Sequence, residues 1–192
     1  NVRDFYRDKG LKVFENLEQL VKSNLDVISI CTPSDSHMNV FLEVSELCNK
    51  DQIITIEKPT FLKLDDFRTA KQVIKNKNLN IFPVFQNRYN IAVQKVKQSI
   101  DTGELGEVRL VSVRVRWCRP QHYYDMAPWR GTYSMDGGCL TNQGIHHIDL
   151  MRRLVGEVQR VCCLHKTLGA KIEVEDTVTA TIEFKSGITG SL

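Results

Sequence analysis

Two side chains, Lys58 and His146, stand in sequence contexts that favour proton chemistry near neutral pH. Lys58 lies in Glu57-Lys58-Pro59, directly after the apolar run Gln52 to Ile56, which predicts a buried strand. A lysine at the end of a parallel strand points into the crevice where such sheets bind ligands, and burial lowers a lysine pKa. Lys58 can therefore donate a hydrogen bond to a hydroxyl. A surface ion pair between Glu57 and Lys58 explains the same residues equally well.

His146 belongs to a motif that runs from Gly137-Gly138 to Asp149. Asn142, His146 and Asp149 stand at i, i+4 and i+7, which places them on one face of a predicted helix. A histidine flanked by an amide and a carboxylate can act as a general base near neutral pH. Asp149 also stands four residues before Arg153, which predicts an ion pair between them. The alternative is a histidine with a purely structural role.

A third motif, Cys31-Thr32-Pro33-Ser34 followed by His37, comes after another apolar strand. Backbone amides at the start of the following helix favour a phosphate or a ribose hydroxyl. An ordinary strand-to-helix turn with a capping residue explains this motif as well.

Alternating elements in the first half of the chain are expected to position these residues. Apolar strands that alternate with helices of 10 to 15 residues predict βαβ units and a parallel sheet. The predicted strands are Leu11 to Phe14, Asp26 to Cys31, Gln52 to Ile56 and Asn80 to Phe85, and the predicted helices are Asn16 to Lys22, a segment around Met38 to Leu47, and Leu64 to Lys77.

The pattern changes after Asn90. Strict alternation from Glu107 to Trp117 predicts a half-buried strand of an antiparallel sheet, with Val111, Val113, Val115 and Trp117 on one face. The other predicted elements are a helix from Ile91 to Asp101, a loop from Cys118 to Gly138, a helix to about Leu154, and strands over residues 158–168, 174–185 and 188–192. The chain is predicted to be α/β: a partial Rossmann domain over residues 1–86, then an α/β domain with an open, mostly antiparallel sheet over residues 87–192.

Composition excludes several classes of protein. The 26 Lys and Arg residues barely exceed the 23 Asp and Glu residues, which argues against nucleic-acid binding. No apolar run approaches the ~20 residues that span a bilayer. The six cysteines form no Cys-x-x-Cys pair, and the adjacent His146 and His147 point apart on a helix, so no metal site is predicted. Reduced thiols in the cytoplasm are expected.

The ordered set of motifs resembles the Gfo/Idh/MocA oxidoreductases along essentially the whole chain. The set comprises Thr32-Pro33 with His37, Glu57-Lys58-Pro59, Gln86-Asn87-Arg88-Tyr89-Asn90, Trp129-Arg130, Gly137-Gly138, Gly144-x-His146-x-x-Asp149, and Val174-Glu175-Asp176. The resemblance implies a Rossmann domain followed by a substrate and oligomerisation domain, and hydride transfer between NAD(P) and a sugar or cyclitol carbon. It also implies a homo-oligomer, a dimer or a tetramer.

A narrower resemblance is to the bacterial UDP-N-acetylglucosaminuronic acid 3-dehydrogenases. It rests on Arg119-Pro120-Gln121-x-Tyr123-Tyr124-Asp125, Trp129-Arg130-Gly131-Thr132, Asp136-Gly137-Gly138 and Asn142-Gln143-x-x-His146. It implies NAD-dependent oxidation of the sugar C3 hydroxyl during the biosynthesis of a surface polysaccharide such as the O-antigen of lipopolysaccharide. Much of the wider family has Asp where this chain has Asn142; an Asp would repel an anionic sugar, whereas Asn can donate to it.

The resemblance also implies roles for individual residues. Lys58 and His146 are the implied catalytic residues. The implied cofactor-binding residues are Thr32, Pro33, Ser34, His37, Glu57, Lys58, Gln86, Trp129 and Arg130. The implied substrate-binding residues are Arg88, Tyr123, Tyr124, Asn142 and His146.

Two alternatives stay open: a generic sugar or inositol dehydrogenase of the same family, and a non-catalytic protein that binds NAD or a sugar nucleotide. The chain opens without Met, and residues 188–192 stop within a strand-like pattern, so we expect a fragment. Because the family's Gly-rich turn and ribose-selecting position are not found, the motifs do not distinguish NAD from NADP. The narrower resemblance implies NAD, and NADP is not excluded.

Overall fold

The computed structural model describes residues 2–192, and the chain divides into two compact units. The first unit comprises the residues up to Thr32 together with Ser36–Glu57 and Lys63–Pro83. The second unit comprises Pro33–Asp35, Lys58–Leu62 and Val84–Leu192.

The first unit is a three-stranded parallel sheet with helices. Its elements are α1 (Val2–Asp8), α2 (Leu17–Val21), β1 (Val27–Ile30), α3 (His37–Leu47), β2 (Ile53–Ile56), α4 (Leu64–Lys77) and β3 (Asn80–Pro83). The strands lie in the order β1-β2-β3. The predicted strand Leu11 to Phe14 is wrong, because no strand pairs with these residues in the described part of the chain.

Alternate strand residues build the core of the first unit. Ile28 and Ile30 of β1 and Ile54 and Ile56 of β2 are each at most 4% exposed, and Phe41 of α3 is fully buried. Each such side chain contributes about 1.5–3 kcal/mol when it leaves water. Ile30 pairs with Ile56 in register, so β1 and β2 end at the same edge of the sheet.

The second unit contains a four-stranded mixed sheet. Its elements are α5 (Ile91–Asp101), β4 (Leu110–Ser112), α6 (Gln121–Asp125), a π-helical turn (Leu140–Gly144), α7 (Ile145–Val155), β5 (Val158–Lys166), β6 (Thr177–Phe184) and β7 (Thr189–Ser191). The strand order is β4-β7-β6-β5. The β5–β6 and β6–β7 pairs are antiparallel.

The predicted strand from Glu107 to Trp117 is shorter than expected. Only Leu110–Ser112 forms a strand. It pairs with β7 in parallel, so the predicted antiparallel pairing is wrong for this strand. The paired residues of β7 are Thr189–Ser191. Val111 and Val113 are half-buried as predicted, but Trp117 is exposed.

Helix α7 packs on one face of this sheet. Met151 of α7 contacts Ile182 and Phe184 of β6, and all three side chains are buried. This contact fixes α7, whose second residue is His146. Within residues 2–192, no helix is both long enough and apolar enough to cross a bilayer.

Candidate active site

Lys58 and Asn142, 84 positions apart in the sequence, meet in the second unit. The Nζ atom of Lys58 donates a hydrogen bond to the backbone carbonyl oxygen of Asn142 at 2.9 Å. Asn142 lies in the π-helical turn Leu140–Gly144. Because hydrogen bonds in a π turn run from i+5 to i, the turn is wider than an α-helical turn, and such turns are frequent at functional sites. The predicted helix to about Leu154 is therefore confirmed, with π-helical geometry over residues 140–144.

The side chain of Asn142 belongs to a small polar network. Its Nδ2 donates to Oδ1 of Asp136, and its Oδ1 accepts from Nε2 of Gln143 at 3.1 Å. Oδ2 of Asp136 accepts from the backbone N–H of Gly131 at 2.8 Å. The Asp136 side chain is only 3% exposed. Both ends of the Asn142 amide are thus engaged by protein groups, and its predicted contact with substrate stays a prediction.

Backbone contacts hold the start of the π turn. The N–H of Cys139 donates to the carbonyl oxygen of Glu175 at 2.9 Å, and the N–H of Leu140 donates to Oε1 of Glu175 at 3.1 Å. These bonds satisfy donors that a helix start leaves without intrahelical partners. Neither Asp136 nor Glu175 was assigned a role from the sequence. The only signal was that each lies within a motif of the family resemblance.

His146 is buried at the beginning of α7, 7% exposed. Its ring meets the ring of Phe85 edge to face, with 6.4 Å between centroids. A buried imidazole on a helix packed against a sheet has a fixed orientation, which a general base requires.

Arg88 makes a bidentate ion pair with Asp149 of α7. Nε of Arg88 donates to Oδ2 of Asp149 at 2.7 Å, and Nη2 donates to Oδ1. This hydrogen bonding raises the pKa of Arg88. The predicted pair between Asp149 and Arg153 is therefore wrong, because the guanidinium of Arg88 offers the carboxylate a bidentate partner. A role of Arg88 in substrate binding stays a prediction.

The loop from Cys118 to Gly138 carries a stack of aromatic rings and guanidinium groups, and it also includes the short helix α6. The Cζ atoms of Arg119 and Arg130 lie 4.1 and 4.2 Å from the centroid of the Tyr123 ring. Trp117 and Trp129 extend the stack at 5.0 and 4.8 Å from the same two arginines. Cation–π contacts of this kind stabilise the conformation of the loop. The guanidinium groups of Arg119 and Arg130 keep their positive charges in these contacts.

A cavity of about 820 Å³ lies beside this loop within the second unit. Its wall includes Arg119, Tyr123, Asp136, Asn142 and Glu175. The volume is typical of a small-molecule site. The residues of the wall come from positions 112–144, 169–179 and 191–192, a set that does not include Lys58 or His146.

In the first unit, polar residues follow the strand ends. The N–H of Glu57 donates to the carbonyl oxygen of Ile30 at 2.9 Å, so the ends of β1 and β2 are adjacent. Thr32 is exposed there, and Glu57 is partly exposed. His37 is buried, with Nε2 2.9 Å from the carbonyl oxygen of Thr32, so its ring holds the loop after β1. A hydroxyl and a carboxylate at adjacent strand ends fit the ribose and phosphate groups of a dinucleotide.

The predicted site residues fall in both units. Thr32, His37 and Glu57 lie in the first, and Pro33, Ser34, Lys58, Gln86, Arg88, Tyr123, Tyr124, Trp129, Arg130, Asn142 and His146 lie in the second. Burial raises the pKa of Tyr124, so its hydroxyl stays a hydrogen-bond donor at neutral pH. Within residues 2–192, no group of three or more His, Cys, Asp and Glu side chains could hold a metal ion.

Cys139 gives a prediction about reactivity at the π turn. Burial, and then the charges of Glu175 and Asp176, raise the pKa of the Cys139 thiol to about 11. Because only the thiolate reacts, alkylation of Cys139 by iodoacetamide should still rise about tenfold per pH unit between pH 8 and 10. Mass spectrometry of each modified site gives the rates, with the exposed Cys162 as the internal reference. A rate for Cys139 that levels off below pH 10 would contradict the prediction.

Two family models match nearly the whole chain. Residues 1–85 match the model described as the oxidoreductase family with an NAD-binding Rossmann fold. Residues 93–192 match the model described as the GFO/IDH/MocA C-terminal domain. Among curated proteins, the inositol 2-dehydrogenase of Rhizobium meliloti (strain 1021) is 27% identical over 135 residues. That match covers 70% of this chain and 38% of the relative.

Two solved structures resemble the chain over almost its full length. The WlbA dehydrogenase from Bordetella pertussis, in complex with NADH and UDP-GlcNAcA, is 34% identical with a TM-score of 0.89, covering 99% of this chain and 55% of that one. The WlbA enzyme from Chromobacterium violaceum, with the same two ligands, is 34% identical with a TM-score of 0.88, covering 98% and 54%. The chain thus spans about half the length of these proteins. With both domain models matched in order, the chain belongs to the Gfo/Idh/MocA family of NAD-binding oxidoreductases.

Proposed function

We propose that the protein uses NAD to oxidise the C3 hydroxyl of a UDP-linked N-acetylated glucuronic acid to the 3-keto sugar, in the biosynthesis of a surface polysaccharide. The observation that carries this proposal is the ammonium group of Lys58, held at the carbonyl of Asn142 in a π turn that leads directly into His146. The two WlbA dehydrogenases, which bind NADH and UDP-GlcNAcA, support the substrate class.

The reaction needs a donor to the hydroxyl oxygen and a base for its proton. An ammonium group carries three N–H donors, and in Lys58 one of them is directed at the Asn142 carbonyl, which holds the charged group beside the π turn. The positive charge of Lys58 stabilises the developing alkoxide. His146 accepts the hydroxyl proton, either directly or through Lys58. NAD, when bound, supplies the hydride acceptor.

Residues of the first unit are suited to hold the cofactor. Thr32 and Glu57 offer a hydroxyl and a carboxylate at neighbouring strand ends, and His37 supports the loop that carries Thr32. The proposed roles of Gln86, Trp129 and Arg130 at the cofactor rest on the family resemblance.

The stack around Tyr123 supports an anionic substrate. Arg119 and Arg130 place two guanidinium groups against one ring, and Arg119 borders the 820 Å³ cavity. A guanidinium group makes bidentate contacts with a carboxylate or a phosphate, and a UDP-linked uronate carries both. Exposed apolar residues on β5, such as Leu164, support the prediction of a homo-oligomer.

A second candidate function is the oxidation of a neutral cyclitol. The curated relatives favour it: besides the inositol 2-dehydrogenase of Rhizobium meliloti, the myo-inositol 2-dehydrogenase of Thermotoga maritima is 24% identical and covers 93% of the chain. A neutral substrate would not need the paired arginines, so these residues favour the first candidate.

The test is to mix the purified protein with NAD and to follow the absorbance of the reduced nicotinamide. UDP-N-acetylglucosaminuronic acid is the substrate, and UDP-N-acetylglucosamine and myo-inositol are the controls. We expect turnover with the uronate and at least tenfold less with each control. Turnover with myo-inositol alone would establish the second candidate. No turnover with any of them, in protein that binds NADH by fluorescence titration, would indicate a non-catalytic binding protein.

A further inference from the structure

We propose that Asp136 is a positioning residue for Lys58 and that it acts through Asn142. This inference rests on the proposed function, since it concerns the orientation of the group that contacts the reacting hydroxyl. The geometry is a chain of three residues: the buried carboxylate of Asp136, the amide of Asn142, and the ammonium of Lys58 on the carbonyl of Asn142.

The carboxylate of Asp136 is held in one place. It is 3% exposed, and its two oxygens accept hydrogen bonds from the N–H of Gly131 and from the amide of Asn142. A buried carboxylate needs such donors, because removal from water is costly unless the group is hydrogen-bonded. Asp136 therefore connects two segments, the loop that carries Gly131 and the π turn that carries Asn142.

Asn142 is in turn fixed from several sides. Its own N–H donates to the carbonyl oxygen of Gly138 at 2.9 Å, its Nδ2 is directed at Asp136, and its Oδ1 accepts from Gln143. With backbone and side chain both bonded, the carbonyl of Asn142 has a defined direction. That carbonyl is the acceptor for Lys58, whose long side chain has many rotamers.

The link matters because catalysis depends on placement. A displacement of about 1 Å at a reacting group can cost 10²-fold in rate. If the carboxylate at Asp136 is lost, the π turn loses one of its anchors and the acceptor for Lys58 becomes mobile. The substrate would still bind, but the ammonium would reach the hydroxyl oxygen less often.

The hydrogen bond between Asn142 and Asp136 also explains why an amide, and not a carboxylate, stands at position 142. A carboxylate at this position would face the carboxylate of Asp136 at hydrogen-bonding distance, and two such groups cannot both be ionised without a large penalty. The choice of Asn over Asp at residue 142 is thus explained by Asp136, whatever the charge of the substrate.

The test exchanges the two side chains. Asp136→Asn alone and Asn142→Asp alone break the donor–acceptor match, whereas the double variant restores it with the direction reversed. In the double variant, the new amide at position 136 donates to the new carboxylate at position 142, and its oxygen still accepts from Gly131. We expect kcat to fall about tenfold in Asp136→Asn and about 100-fold in Asn142→Asp, and to return to within about fivefold of wild type in the double variant.

The Michaelis constant separates positioning from binding. In Asp136→Asn, the KM for the sugar should stay within about threefold of wild type while kcat falls, as expected when only transition-state contacts are lost. Asp125→Asn is the matched control, because Asp125 is an exposed carboxylate of the same loop. Its Oδ1 accepts a hydrogen bond from Nε2 of Gln121 within α6. This control should leave kcat unchanged.

A second readout does not need catalysis. The acetylation rate of Lys58 by acetic anhydride, measured by mass spectrometry against the exposed Lys71, should rise at least threefold in Asp136→Asn and fall back in the double variant. An unchanged Lys58 rate in Asp136→Asn, or a double variant no more active than Asn142→Asp, would overturn the positioning role. If the wild-type protein oxidises no sugar, the proposed function fails, and the acetylation rates still decide whether Asp136 positions Lys58.

Discussion

Replacing Lys58 by Met should lower kcat by about 10²–10⁴-fold while the protein stays folded. Met keeps the length and the apolar stem of the lysine, so the packing of this half-buried residue is retained. The variant removes the donor that is directed at the Asn142 carbonyl, and with it the positive charge that stabilises the alkoxide in the proposed mechanism. Steady-state turnover of the uronate with NAD measures the effect, and the circular dichroism melting curve checks the fold.

Lys71→Met is the matched control for this variant. Lys71 lies on an exposed face of α4, so the same chemical change should leave kcat within about twofold of wild type. Lys58→Arg is informative as well, because a guanidinium keeps the charge but not the compact geometry of an ammonium. Near-normal turnover in Lys58→Met would exclude Lys58 as a catalytic residue and with it the mechanism proposed above.

The first unit was largely predictable from the sequence because its signals are local. Helix α4 occupies Leu64–Lys77 as predicted, and β1 and β2 lie inside the predicted apolar runs. Helical periodicity and continuous apolar runs indicate which residues of an element are buried, even when the elements that pack against it are not known. The strand predicted at Leu11 to Phe14 is wrong because the prediction used local sequence alone. A strand also needs a pairing partner, which local sequence does not reveal.

The second unit depended on contacts between distant residues. The direction of β4 is set by β7, almost 80 positions later, and alternation is the same in parallel and antiparallel strands. The partner of Asp149 is Arg88, 61 positions away, although Arg153 has the spacing of a helical ion pair. The π turn at Leu140–Gly144 is anchored by Glu175 and Asp136, and no spacing rule predicts such a turn.

Gly131 tests how tightly the loop from Cys118 to Gly138 is packed. We expect Gly131→Ala to destabilise the second unit by about 2–4 kcal/mol, the sum of backbone strain and overpacking. The φ angle of Gly131 is +69°, in the left-handed region that favours glycine. A Cβ atom there would lie 2.7 Å from Cγ2 and 2.9 Å from Cβ of Ile172, and 3.0 Å from Cδ1 of Tyr124.

Gly103→Ala separates the two contributions. Gly103 has a φ of +74°, but a Cβ atom added there meets nothing within 4 Å. This variant should therefore show the backbone strain alone, about 1–2 kcal/mol. Urea unfolding followed by tryptophan fluorescence suits both variants, because the two tryptophans, Trp117 and Trp129, lie in the second unit. Equal decreases in the free energy of unfolding would mean that Ile172 and Tyr124 move away from the new Cβ atom at little cost. A larger decrease for Gly131→Ala would show that the loop is rigid, as it must be if it holds Asp136 in place.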